Sequence, residues 1–126
     1  MADLVALGAT FAALMADYRA AQSQLSALQH EADRTAADAG MVSGSSAWSE
    51  HRFAITGRTV HHVNMLYQKL EDLVQAIEPL RPTCFAGLLI KARAHAFAGD
   101  PLAILADIEA LANASRAPPM LTPARP

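Results

Sequence analysis

Cysteine is nearly absent from this sequence, since Cys84 is the only one in 126 residues. A single cysteine excludes an internal disulfide bond and any zinc site built from several thiolates. Stable disulfides belong to oxidising compartments, so a chain without them is typical of the reducing cytoplasm. We therefore expect a cytoplasmic protein.

Aromatic residues and net charge are also scarce. Aromatics make up 6% of the chain, whereas hydrophobic residues, many of them alanine, make up 52%. This composition favours closely packed helices over a β-sandwich. The formal net charge of −2 provides no general attraction to nucleic acids or to anionic membranes.

Long uninterrupted apolar runs are missing as well. A membrane-spanning helix needs roughly 18 or more apolar residues in succession. The first twenty residues are rich in alanine and leucine, but Asp3 stands where a secretory signal carries positive charge. We expect neither a signal peptide nor a membrane partner.

The chain does have strong helical periodicity. Apolar residues recur at both core positions of a seven-residue repeat through residues 3–39, which predicts a first long helix. The glycines and serines of residues 39–46 predict a break, and Ser45 or Ser46 is suited to cap the next helix. A second seam then runs through residues 47–77 and ends before Pro79.

Two long helices joined by a short loop predict an antiparallel, coiled-coil-like hairpin. At 1.5 Å per residue the helices would span roughly 55 and 46 Å, too long for the remaining chain to cover. The uncovered seam predicts a homodimer, or binding to another helical protein. The residues that we expect at this interface are Leu14, Tyr18, Leu25, Leu28, Val63, Tyr67 and Leu70.

Two short helices are predicted after the hairpin, over residues 84–98 and 101–113. Thr83 and Gly99 are the expected caps of the first, while Asp100 and Pro101 suit the start of the second. A proline-rich, flexible tail is expected over 115–126. Residues 1–114 would then form one all-α domain.

The helix predicted over residues 84–98 has an apolar arc about 200° wide, where a surface helix usually has about 100°. It therefore needs two neighbours. We expect Lys91 and His95 to remain in water and Cys84 to pack beside Phe85. Whether the second neighbour is the following helix or another subunit is left open by the sequence.

No catalytic or metal-binding constellation is visible. None of the five histidines has another histidine three or four residues away, as two ligands on one helix face require. No Glu-x-x-His pair occurs, so the di-iron bundle pattern is absent. We expect no catalytic residues, no metal and no cofactor, and hence not an enzyme.

A DNA-binding alternative exists at residues 53–66, where Gly57 could be the turn glycine of a degenerate helix-turn-helix. The heptad pattern continues through Gly57 without a change of phase, which favours an unbroken helix instead. In the alternative interpretation five side chains would face DNA: Arg58, Thr59, His61, His62 and Asn64.

The segment PTCFAGLLIKARA, residues 82–94, resembles a C-terminal signature of small bacterial helical proteins, Pro-x-Thr-Leu-x-Gly-Leu-x-x-Lys-Ala-Arg-Ala. Phe85 replaces the leucine of that signature. The resemblance covers roughly a tenth of the chain; it implies a bacterial accessory or mobile-element protein and no catalytic residues. The matching residues are Pro82, Thr83, Gly87, Leu88, Lys91, Ala92, Arg93 and Ala94.

These observations together predict a non-enzymatic assembly or adaptor module that acts through protein–protein contacts, most simply as a homo-oligomer. A small DNA-binding regulator is the alternative.

Overall fold

The computed structural model describes residues 1–99 and 101–116, with Pro101 and Arg116 described by their backbone only. Within these residues the chain is all-α and contains no strand, which confirms the predicted fold class. It has four helices: α1 (Ala2–Asp38), α2 (Ser46–Ile77), α3 (Phe85–Ala98) and α4 (Pro101–Arg116).

The break between α1 and α2 is built by a glycine in the left-handed conformation. Gly40 has a φ of 74°, a conformation that residues with a Cβ rarely adopt. Its N–H donates to Ala37 O at 3.0 Å, while the N–H of Met41 donates to Ala36 O at 3.0 Å. This pair of bonds is a Schellman motif, which satisfies the last carbonyls of α1.

Ser45 caps the start of α2, as the sequence allowed. The N–H of Trp48 donates to the Ser45 hydroxyl oxygen over 3.2 Å. The bond satisfies one of the amides that the first turn of a helix leaves without a partner. The polar loop therefore ends at a defined residue, and α2 continues from it without interruption to Ile77.

The contacts divide the chain into two compact units. The middle unit is Ala12–Glu71, and the terminal unit combines Met1–Phe11 with the chain from Asp72 onward.

In the middle unit α1 packs on α2. Asp33 on α1 accepts a hydrogen bond from Arg52 at 2.8 Å, and the Tyr18 and Tyr67 rings lie 6.1 Å apart. The later residue of α1 thus pairs with the earlier residue of α2, so these segments run in opposite directions. The buried residues of α1 in this unit are the alanines Ala21, Ala32 and Ala36, whose small side chains allow a close approach. They face α2, on which Leu66 and Leu70 are buried.

In the terminal unit the first residues of α1 pack on α3. The Phe11 and Phe97 rings meet edge to face with centroids 6.1 Å apart. A Cβ on Gly8 would lie 2.8 Å from Ile90 Cγ2, so only glycine lets the two helices approach this closely. Leu4, Val74, Ile77 and Ala94 complete a small buried core.

Helix ends near α3 differ from the sequence-based expectation. Cys84, not Thr83, is the N-cap residue of α3, and its side chain makes no capping hydrogen bond. Cys84 is also exposed instead of packed. The predicted cap Asp100 lies outside the described residues. Helix α4 begins at Pro101 as predicted but continues to Arg116, so the first two residues of the predicted tail are helical. The rest of the predicted tail, residues 117–126, lies outside the described part of the chain.

Candidate functional site: an apolar surface above a buried ion pair

The terminal unit contains a buried ion pair between α3 and α4. Lys91 Nζ lies 2.7 Å from Asp107 Oδ2, and the two side chains are only 4% and 9% exposed. Lys91 also donates to the backbone oxygen of Glu78 at 2.8 Å. One ammonium group thus joins α3, α4 and the chain that follows α2.

The expectation that Lys91 and His95 remain in water is therefore wrong. Their side of α3 is covered by α4, which contributes a carboxylate to neutralise the buried ammonium. A buried charge is tolerated when it is paired and hydrogen-bonded. The signal for this pairing in the sequence is slight, because Asp107 is a single acidic residue between Ala106 and Ile108.

His95 lies one turn after Lys91 and is 5% exposed. Neither of its ring nitrogens has a hydrogen-bond partner among the described residues. The ring occupies the space beside Gly99, where an added Cβ would overlap His95 Nδ1. Gly99 has a φ of −106° and its N–H donates to His95 O at 3.0 Å, so glycine is required here for space and not for its backbone angles.

On the outside of α3, large apolar side chains remain exposed. Phe85 is 75% exposed and Leu89, one turn later, is 40% exposed. At about 100° per residue the two lie some 40° apart around the helix, so they form one strip. The side of α3 that carries Lys91 and His95 is thus buried, whereas this apolar side is exposed, the reverse of the prediction.

Helix α4 also has an uncovered apolar strip. Leu102, Leu105 and Ile108 are 70%, 50% and 45% exposed. Their spacing of three residues puts them on adjacent positions of one helix side, whereas Asp107 points inward to Lys91. Together the five exposed side chains constitute what we call the α3–α4 apolar surface: Phe85, Leu89, Leu102, Leu105 and Ile108.

Two exposed charges of opposite sign border this surface. Arg93 lies one turn after Leu89 on α3, and Glu109 lies one turn after Leu105 on α4. Neither forms an ion pair with another residue of the described chain. The exposed positive charge thus follows Leu89 by one turn on α3, and the exposed negative charge follows Leu105 by one turn on α4.

The interface residues predicted from the sequence all lie on α1 and α2 in the middle unit. Leu70 is 0% exposed, so its contacts are within the chain. Tyr67 is 39% exposed beside Tyr18. The remaining members of the set are half-buried: Leu14, Tyr18, Leu25, Leu28 and Val63. The side chains of the more exposed α3–α4 apolar surface are not among these predicted residues, although the sequence left open that α3 meets another subunit.

The residues proposed for DNA contact do not form a helix-turn-helix. Helix α2 continues through Gly57, where the Phe53 ring covers the glycine, so the required turn is not made. Thr59 is buried in the helix pair. The other four candidates lie on the exposed side of one straight element: Arg58, His61, His62 and Asn64.

One surface depression in the middle unit is lined by an acid and an imidazole, Asp17 and His62. No group of three histidine, cysteine, aspartate or glutamate side chains is placed to hold a metal ion among the described residues. A shallow depression of about 330 Å³ in the terminal unit is lined by six residues without an ionisable side chain: Pro82, Thr83, Ala110, Leu111, Ala114 and Ser115. It offers no acid, base or charged ligand for catalysis.

Helix α1 is long and apolar enough to cross a membrane by length and composition. An 18-residue window has a mean hydropathy of 1.2 and is 17% buried. The sequence has no uninterrupted apolar run of that length, but its many alanines raise the average hydropathy of the helix. Signal sequences and core helices of soluble proteins share this composition. In this structure Leu4 and Phe11 are buried in the terminal unit.

Compared with protein-family models, with curated proteins and with solved structures, the chain matches none of them.

Proposed function

We propose that the protein is a non-enzymatic helical assembly module whose partner is a second copy of itself. The observation that carries the proposal is the extent of uncovered apolar side chains on a small chain. In the terminal unit Phe85 is 75% exposed, Leu102 is 70% exposed and Leu105 is 50% exposed. The largest apolar patch on a typical soluble monomer is about 300–600 Å² and is often functional.

The architecture supports the same proposal. The middle unit has only two helices, and two helices alone bury one side of each. Its seam residues are half-buried for this reason, so further burial is available to a partner. A module of this kind acts in the cytoplasm through packing, without a cofactor or a nucleophile.

Size-exclusion chromatography with light scattering tests the proposal. Wild-type protein at high micromolar concentration is expected to have at least twice the chain mass of 13.4 kDa. Dilution should lower the mass, because a reversible assembly follows mass action. A mass of one chain at every concentration contradicts the proposal. Fractionation of cells expressing the protein tests the location, with recovery in the soluble cytoplasmic fraction expected.

A further inference from the structure

We propose that the α3–α4 apolar surface is the face through which two copies associate, with α3 of one copy packed on α4 of the other about a two-fold axis. This inference rests on the proposed function and specifies its contact. Residues of a two-fold interface meet reciprocally, so each copy contributes both an α3 strip and an α4 strip. The product is a four-helix arrangement made from two pairs of short helices.

The exposed apolar area can supply the centre of such a contact. If each fully exposed side chain offers about 150–200 Å², the five apolar side chains expose roughly 500 Å². A standard interface buries about 800 Å² on each partner and has a polar rim around an apolar centre. Arg93, Glu109 and the small residues between the large ones supply that rim. The five side chains therefore supply the apolar centre, about 500 of the roughly 800 Å² that each partner buries in a standard interface.

The two helices also match each other as packing partners. Helix α3 has 14 residues and α4 has 16. At 1.5 Å per residue their lengths are about 21 and 24 Å, so one can cover the other from end to end. Ala92 and Ala96 on α3, and Ala112 on α4, lie among the large side chains of the strips. Small residues at these positions make room for large ones from the facing helix.

Charge complementarity identifies a second copy as the occupant. The α3 strip is bordered by Arg93 and the α4 strip by Glu109, and neither charge is paired within the described chain. When α3 packs on α4 of a second copy, Arg93 comes beside the partner's Glu109. The two-fold axis repeats the pair, so one dimer gains two such contacts. An anionic membrane would instead favour a surface with an excess of basic residues.

The buried ion pair keeps this surface in one shape. Lys91 and Asp107 hold α3 and α4 together from the inner side, while the two strips lie on exposed sides of the same helices. A pre-formed surface loses less conformational freedom on binding than one that must first become ordered. The ion pair thus favours association because it holds the two apolar strips in fixed positions before the second copy binds.

Charge reversal with rescue tests the proposed contact. Arg93→Glu and Glu109→Arg each put two like charges together twice in the dimer, and each is expected to raise the dissociation constant about tenfold or more. The double variant Arg93→Glu/Glu109→Arg restores opposite charges and should return it to within about threefold of wild type. Arg58→Glu, an exposed charge reversal on α2, is the control and should leave it unchanged.

An apolar substitution tests the surface independently of charge. Phe85→Glu is expected to give monomers at concentrations where the wild type is dimeric. Phe53→Glu is the matched control, because Phe53 is the same residue type with the same 75% exposure but lies on α2. Both side chains are exposed, so circular dichroism should show wild-type helix content in both variants.

The outcomes separate this inference from the proposed function. A wild type that is monomeric throughout overturns both. A wild-type oligomer that survives Phe85→Glu and both charge reversals overturns the inference alone, and loss of that oligomer in Phe53→Glu would then locate the contact on α2. Disruption by Phe85→Glu together with rescue in the double charge variant supports the inference, because recovery of association through reversed charges requires direct contact between the two positions.

Discussion

Lys91 on α3 and Asp107 on α4 form an ion pair of 2.7 Å inside the terminal unit. Their positions explain why two short helices, each with an apolar outer strip, stay together when neither is long enough to be stable alone in water. The pair has a defined geometry because the same ammonium also donates to Glu78 O. An inner polar contact of this kind fixes which sides of α3 and α4 remain outside.

The ion pair gives a first prediction about stability. Asp107→Leu leaves the buried Lys91 ammonium without its carboxylate, and we expect the free energy of unfolding to fall by about 3–5 kcal/mol. Lys91→Leu/Asp107→Leu should recover most of that loss, because two apolar side chains need no partner. Urea unfolding followed by circular dichroism measures both values.

The exposed pair Arg34–Asp38 is the control for this measurement. Its side chains are 66% and 70% exposed and 3.4 Å apart. Arg34→Leu should change the free energy of unfolding by less than about 1 kcal/mol, because water screens exposed pairs. Equal losses in Asp107→Leu and Arg34→Leu would show that the inner pair is not buried in solution.

Gly99 gives a second prediction, based on space. Gly99→Ala puts a Cβ into the His95 ring, so we expect a loss of about 1–3 kcal/mol in the free energy of unfolding. His95→Ala removes the ring but leaves the His95 Cα, 2.6 Å from the added Cβ, so it should recover part of the loss, a coupling that a double-mutant cycle detects. Additive losses in the cycle would contradict the proposed overlap.

Gly57→Ala is a suitable comparison, since it replaces a helical glycine whose nearest neighbour is an exposed side chain. The added Cβ would lie 3.1 Å from the Phe53 ring, which can move into solvent. Alanine is favoured over glycine inside a helix by about 1 kcal/mol. We therefore expect Gly57→Ala to be neutral or stabilising, in contrast to Gly99→Ala.

The all-α class and the helix bounds could be predicted from the sequence because they depend on local signals. The seven-residue periodicity, the glycines of the loop and the prolines after α2 act over a few residues, and each bound was placed within three residues of its observed position. The cap of α3 was assigned to Thr83 because threonine is a favoured cap residue. Cys84 takes that position in the structure without a capping side-chain bond.

The burial of Lys91 and His95 could not be predicted from α3 alone. Helical periodicity shows which residues share a side but not which side another helix covers. Lysine and histidine suggested a solvated side, whereas Asp107, sixteen residues later, makes burial possible for Lys91. The exposed strips were absent from the predicted interface residues for the same reason, since tertiary packing decides which of two apolar sides remains uncovered.

A third prediction concerns DNA. Because α2 continues through Gly57, the turn of a helix-turn-helix is not formed, and the overall net charge is −2. We expect a fluorescently labelled duplex to show no change in anisotropy on addition of micromolar protein at physiological salt. Salt-sensitive binding that is lost in Arg58→Glu would contradict this expectation, because it would identify α2 as a basic contact surface.

The last prediction compares two leucines of the predicted seam. Leu70 is 0% exposed, so Leu70→Ala should leave a cavity in the core and cost about 2–5 kcal/mol of unfolding free energy. Leu25 is only half-buried, and Leu25→Ala should cost about half as much or less, since fewer contacts are lost. Urea unfolding of both variants is measured at protein concentrations well below the dissociation constant of any dimer, so that folding is separated from association. If Leu25→Ala is the more destabilising of the two at that dilution, the observed packing of α1 on α2 is wrong at this position. If Leu25→Ala instead becomes costly only at high concentration, the Leu25 side of α1 takes part in assembly alongside the α3–α4 apolar surface.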